Sequence, residues 1–427
     1  MAATAQGAPD VPLGSGKLIA VTEMLNRRRF LEAAAAGVVG GLVGTGLPVG
    51  AEAARGRVVL GSRPAGLPAR QHAWGGTLAT DRFGNVIAPR QARLLFFDVP
   101  AKPDANDVRL LEAALRTLER TYSWGPAGVL FTVGWSPHYF EHVLGVRSPI
   151  PKAKELSAFE LPSFDDYHLV IHLASDHEQR LVAVEHALRR SLSSSLRWRD
   201  TRTGFVGAGL PAAHQHVNGI PPGNPVSKSA PLFMGFKSGF TKNQATEDDV
   251  TISSGAFADG TTMHVSYMRL RLDSWYGGLD EKQRTARMYA PEVTPADVAR
   301  FTDDAPSDPQ KYTQAATRYG VVGHSQTSAR ARRNGRPLII RRDFNTVDGG
   351  LAGLHFVAIQ RSIEDFVKTR QAMNAANASY LNPAISDTVN NGINEFIFVL
   401  KRANYILPSR ALRSYPLYPG QAAALTD

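Results

Sequence analysis

Residues 92–100, ARLLFFDVP, form a short, nearly continuous apolar run of the kind that fills a buried strand. A helix is expected next. Asp104 or Asp107 can cap it, and Val108, Leu111, Leu115, Leu118 and Tyr122 then recur at the spacing of one apolar helical stripe. GVLFTVGW (128–135) and YHLVIHLAS (167–175) read as two more strands, and the run from Glu178 to Leu192 as a second helix. The second half repeats this grammar. TTMHVSYMRLRLD (261–273) alternates as a strand does, RPLIIRRDF (336–344) reads as another, and GLHFVAIQ (353–360) leads into the helix-like SIEDFVKTRQAMNAAN. NEFIFVL (394–400) is a late strand. Strands interleaved with helices in both halves predict an α+β fold with antiparallel sheets covered on one face. The Pro/Gly-rich stretch 209–225 divides the chain into an N-terminal domain, 54–208, and a C-terminal domain, 226–427.

Length and composition agree with this division, because 427 residues, 43% of them hydrophobic and 20% charged, suffice for two ordinary cores. There are no cysteines, which excludes disulfides, thiolate catalysis, iron–sulfur clusters and any Cys-ligated metal. Histidine, with 12 copies, must carry any soft-ligand chemistry. The net charge of +10 is mostly scattered among acids. The exception is SARARRNGRPLIIRR, which holds Arg330, Arg332, Arg333, Arg336, Arg341 and Arg342. No aromatic residues interleave that run as a nucleic-acid stacking platform would require, so an anionic small ligand is expected and nucleic acid is not.

The N-terminus reads as an address. Arg27 and Arg28 precede Arg29, Phe30 and Leu31, a Gly/Ala-rich apolar stretch follows, and Ala51-Glu52-Ala53 closes it as a cleavage triplet. The apolar part is too short and glycine-rich to span a bilayer well, and twin arginines ahead of it mark a Tat-type export signal over residues 1–53. Met24 is an alternative start. The expected partner is the Tat translocation machinery, and the expected location is extracytoplasmic: periplasm, cell wall or secreted.

PLFMGFKSGFTKN (231–243) brackets Lys237 and Ser238 between Gly235 and Gly239. A phosphate loop needs four residues between its glycines and Lys-Ser/Thr directly after the second, so that motif is absent. Locally the stretch reads as a strand, PLFMGF, that leaves through a glycine turn.

Taken in order, VLFTVGWSPHYFE, DDYHLVIHLASD, LRWRDTRTGFV, PLFMGFKSGF, MRLRLDSWYGGLDEKQRTARM, a His-containing loop, IIRRDF and GLHFVAIQRSIEDF resemble the dye-decolourising (DyP-type) peroxidases over roughly residues 90–405. The resemblance implies two ferredoxin-like α+β domains, with antiparallel sheets and flanking helices, and haem b in the C-terminal one. It implies that His324 is the proximal iron ligand, although Gln326 stands where the family usually carries a basic residue. It makes Arg341 the distal arginine. The family's G-x-x-D-G motif falls on Gly235 to Gly239 and puts Ser238 where its aspartate belongs. Arg330, Arg332 and Arg333 are then the candidates for pairing with haem propionates. The implied reactants are hydrogen peroxide and a small-molecule electron donor, with homo-oligomerisation left open. A guanidinium such as Arg341 would stabilise departing hydroxide, whereas the Ser238 hydroxyl is no base unaided, so a slow peroxidase is expected. Asp248 or Asp249 could reach in from the following loop. The alternative is a haem protein for carriage, storage or sensing, and a cofactor-free scaffold would need His324 to be incidental. His264 and His355 read as core or sheet-face residues, and His214 and His216 as a weaker pair in the dividing stretch.

Overall fold

The computed structural model describes residues 58–81, 84–236, 243–298 and 309–426. Residues 1–53, where an export signal is expected, together with Ser238 and Gly239, lie outside the described residues.

The N-terminal half runs β1 (Gln91–Asp98), α1 (Ala105–Thr121), β2 (Leu130–Trp135), β3 (Leu169–Ser175), α2 (Glu178–Ser191) and β4 (Arg197–Phe205). Both acids at the start of α1 take part in its cap. Asp104 Oδ1 accepts from the Asp107 amide at 2.9 Å, and Asp107 Oδ2 accepts from the Asp104 amide at 3.0 Å, which satisfies two otherwise orphaned donors. The stripe of Val108, Leu111, Leu115 and Leu118 is buried against the sheet.

The C-terminal half holds β5 (Thr261–Leu270), α3 (Glu281–Met288), α4 (Pro309–Tyr319), α5 (His324–Ser328), β6 (Ile340–Arg341), β7 (Phe344–Thr346), β8 (Gly353–Gln360), α6 (Ile363–Asn374) and β9 (Ile397–Leu407). The strands join one sheet in the order β7-β4-β1-β3-β2-β9-β5-β8-β6, and β7 also pairs with β8, so the sheet closes on itself. These neighbours are all antiparallel. Among the described residues the two halves meet through the antiparallel pairs Ile406 with Trp135 and Asn345 with Phe205, and through a short parallel contact of Lys401 with Ser163 and Arg402 with Phe164.

Side-chain alternation sorts the core. Leu94 and Phe96 of β1 point into the closed sheet with Met263, Val265, Val357 and Tyr405, while Leu95 and Phe97 point outward under α1 and α2. The same period sends Met268 and Leu270 of β5 to the outer face of the C-terminal half, away from Met263 and Val265. That outer face carries the site.

Two expected strands take another form. RPLIIRRDF is broken: Arg336–Pro337 turns back on Arg332–Arg333, and only β6 and β7 pair with β8. Both nonetheless keep one register, with Arg341 opposite Ala358 and Phe344 opposite His355. PLFMGF is a run of bends and turns, because its amides are used elsewhere: Gly235 N–H donates to Leu232 O, and Phe233 N–H donates to Asn345 Oδ1 at 2.7 Å.

Candidate functional site

A cavity of about 240 Å³ lies between the outer face of β5, β8 and β9 and the helices α5 and α6. It is predominantly apolar: Met268, Leu270, Leu354, Phe356 and Val399 form its floor, and Phe366 and Met373 come from α6. A second chamber of about 990 Å³ adjoins it. Asn243, Arg332, Pro337, Arg341 and Asp343 belong to both walls. Together they offer the concave, apolar setting with a few convergent polar groups that small-molecule sites use.

His324 enters from the first turn of α5. That helix is fixed from outside, since Gln326 N–H donates to Tyr289 O and Val322 N–H donates to Asn390 O. Gln326 is fully buried, its Oε1 accepting from the Gly323 amide at 3.3 Å, so it serves the helix start and does not line the cavity. The imidazole itself lines the cavity. Burial, and then the neighbouring Arg341 and Arg370 guanidiniums, push it down to about 3, so it is neutral at physiological pH. Its buried Nδ1 has no hydrogen-bond partner among the described residues. A neutral, cavity-facing imidazole is the form that binds a metal.

Arg341 reaches the same cavity from β6, held by its amide, which donates to Gln244 Oε1 at 2.6 Å. Strand alternation explains why it does so and Arg342 does not. Arg341, Asp343 and Asn345 share the cavity face, whereas Arg342 points to the other side, stacks on Trp74 with 3.7 Å from guanidinium carbon to ring centroid, and is pushed down to about 9 by burial.

The basic run divides. Arg332 lines the cavity, its Nε donating to Ala329 O and one Nη to Gly335 O. Arg330 lies over the Tyr312 ring at 4.1 Å, and Arg333 pairs with Asp365; neither lines the cavity. Gly235 adopts φ +88 and so supplies the turn that sends Leu232, Met234 and Phe236 to the wall. Phe236 and Asn243, the residues flanking positions 237–242, both line the cavity. Asp248 pairs with Arg70 and Asp249 bonds to Thr246 and Arg336, so both acids are engaged away from His324. His264 is buried between Asn404 and Ser266 at 2.7 Å each, and His355 bonds to Asp348 at 3.1 Å. His214 stacks on Phe205, with its Nδ1 2.9 Å from Leu210 O.

Three residues that line the cavity, Arg370, Arg402 and Asp343, carry no sequence signal of their own. Arg370 lines the cavity from α6 and donates through Nη2 to Glu160 Oε1 at 2.7 Å, while Arg402 of β9 donates to Glu160 Oε2 at 2.7 Å. Burial alone would raise the Glu160 pKa, but the two guanidiniums outweigh it and hold the carboxyl below its ordinary value. Asp343 is the third. It lines both cavities, and its carboxylate makes no hydrogen bond or ion pair among the described residues.

Over residues 89–409 the chain matches a family described as a family of unknown function, DUF7405. No curated protein matches it in sequence. Solved structures do match in fold. A DyP-type peroxidase from Cellulomonas bogoriensis is 20% identical with a TM-score of 0.52, over 75% of this chain and 90% of that one. A dye-decolorizing peroxidase from Bacteroides thetaiotaomicron VPI-5482 is 13% identical with a TM-score of 0.50, over 80% and 98%. A DypB variant of Rhodococcus jostii RHA1 in complex with haem is 11% identical with a TM-score of 0.50, over 77% and 96%. At these identities the likeness establishes a shared mixed helix-and-strand fold.

Proposed function

The chain belongs to the family of unknown function DUF7405, and we propose that it is an exported haem b protein that reduces hydrogen peroxide at the expense of a small-molecule donor. The observation that carries this reading is the neutral His324 imidazole, its Nδ1 without a partner among the described residues, on the wall of an apolar cavity that Arg341 also enters. The fit to haem is chemical: an imidazole for the iron, methionine and aromatic side chains for the macrocycle, and the Arg332 guanidinium for a propionate. The fold shared with DyP-type peroxidases, one of them in complex with haem, supports the same assignment. Each half of the sheet orders its strands as a ferredoxin-like unit does, β4-β1-β3-β2 and β9-β5-β8-β6, which is the basis for reading two such domains.

Haem, when bound, supplies the redox centre at which peroxide is reduced. The protein's part is electrostatic. Arg341 places a permanent positive charge where a peroxide anion would form and where hydroxide would depart. Ser238 offers only a hydroxyl in place of the usual acid, so proton transfer is the slow component of the reaction. Export follows from the twin arginines, and Arg27→Lys with Arg28→Lys would retain the protein in the cytoplasm in cell fractionation.

Ser238 also favours a second reading, a haem carrier or sensor with no peroxidase turnover. Stopped-flow mixing of the haem-loaded protein with peroxide separates the two. The peroxidase reading expects a saturable spectral change that Arg341→Leu abolishes and Ser238→Asp accelerates by roughly tenfold or more. A haem spectrum indifferent to peroxide in all three proteins would leave the carrier.

A further inference from the structure

We propose that Asp343 is the proton acceptor of the cavity, the group that takes over the acid–base role Ser238 cannot fill. This rests on the haem reading above. It starts from strand geometry: β6 and β7 lie in one register along β8, so residues 341, 343 and 345 project to one face and 340, 342 and 344 to the other. Arg341 and Asp343 are therefore neighbours on the cavity wall, two residues apart, roughly 6–7 Å between Cα atoms by the rise of an extended chain. Ile340 and Phe344, by contrast, belong to the core inside the closed sheet.

The second observation is that nothing among the described residues neutralises or occupies this carboxylate. Asp343 stands in both cavity walls and makes no hydrogen bond or ion pair among the described residues, although Arg332 and Arg341 line the same two walls. The neighbouring acids are all committed. Glu247 accepts from the Gly75 amide at 2.7 Å, Asp249 from the Thr246 amide at 3.1 Å, and Glu160 from Arg370 and Arg402. Among the described residues Asp343 is thus the carboxylate of the His324 cavity whose acceptor capacity is unused.

The chemistry asked of it is one balanced proton transfer. A weak acid that binds as its anion, hydrogen peroxide or hydrogen cyanide, gives its proton to the Asp343 carboxylate. The products are the carboxylic acid and hydroperoxide or cyanide, with Arg341 compensating the new negative charge. Facing the second chamber as well, Asp343 can then return the proton to solvent-side groups.

Cyanide tests this without turnover, because hydrogen cyanide must lose its proton to bind. Haem-loaded wild type, Asp343→Asn and Asp343→Glu are mixed with cyanide at pH 7 and association is followed in the Soret band. The amide keeps shape and loses basicity, so Asp343→Asn should retain haem and bind cyanide about 10²-fold more slowly, while Asp343→Glu recovers most of the rate. Equal association rates in wild type and Asp343→Asn at equal haem content overturn the proposal while leaving haem binding standing. Failure of the wild type itself to take up haem overturns both. A variant slowed equally by Asn and Glu would show that Asp343 matters by shape and not as a base, and would also overturn it.

Discussion

Gly392 lies against the backbone of His324: a Cβ built on Gly392 would stand 3.1 Å from the His324 Cα and 3.1 Å from its N. The glycine sits at φ +56 and donates its amide to Val322 O at 2.8 Å, so the loop before β9 fixes the turn from which the imidazole enters the cavity.

Gly392→Ala should therefore act on His324 from outside the cavity. The left-handed backbone costs roughly 1–3 kcal/mol for a residue with a side chain, and the added methyl would displace the first turn of α5. Haem affinity, read by titration in the Soret band, should fall several-fold while the circular dichroism spectrum stays native. Unchanged affinity would mean that this contact does not position the imidazole.

Glu160 should be the most sensitive carboxylate near the site. Removing its charge as Glu160→Gln leaves Arg370 and Arg402, both buried, without their shared counter-ion. Breaking one side of a buried pair typically costs about 3–5 kcal/mol. Urea denaturation should show a loss of this order, and the double variant Glu160→Gln/Arg370→Met should be less destabilised than the sum of its parts. Additive effects would show that the two residues are not energetically coupled.

Acid should unfold the protein through its buried histidines as well as its carboxylates. His172 and His72 are fully enclosed, and burial followed by Arg342 pushes each down to about 3. The unfolded chain, with histidine near 6.5, binds protons that the native state refuses, so stability is complete above about pH 6.5 and falls as pH drops toward 3. Each such histidine contributes a slope of about 1.4 kcal/mol per pH unit inside that window. His172→Phe, which keeps a ring between Trp74 and Phe344, should make the melting temperature less steep from pH 6 to 4. An unaltered slope would show that His172 protonates in the folded state.

Much of this architecture was legible in the residue pattern, and the exceptions share a cause. GLHFVAIQ is β8 at the expected residues, and the stripe from Val108 to Leu118 is the buried face of α1, because local periodicity and capping decide both. RPLIIRRDF misleads because apolar content alone does not reveal the reversal at Asn334 and Gly335, both at positive φ. Arg333 was expected at the cavity and is drawn to Asp365, which lies 32 positions further along the chain. Glu160 left no trace in the sequence, since the guanidiniums that give it meaning lie 210 and 242 positions away. Asp343 was hidden inside a supposed continuous strand; counting alternate residues from Arg341 would have placed it on the same face.

The central claim is that His324 binds haem iron in this cavity, and titration of the purified protein with ferric haem tests it most directly. The account predicts one haem per chain for the wild type, with a Soret band characteristic of imidazole ligation. It predicts that His324→Ala, folded by circular dichroism, loses that band and most of its haem, with partial recovery on adding free imidazole. Wild type that takes up no stoichiometric haem, or His324→Ala with the same occupancy and an unshifted Soret band, would contradict it.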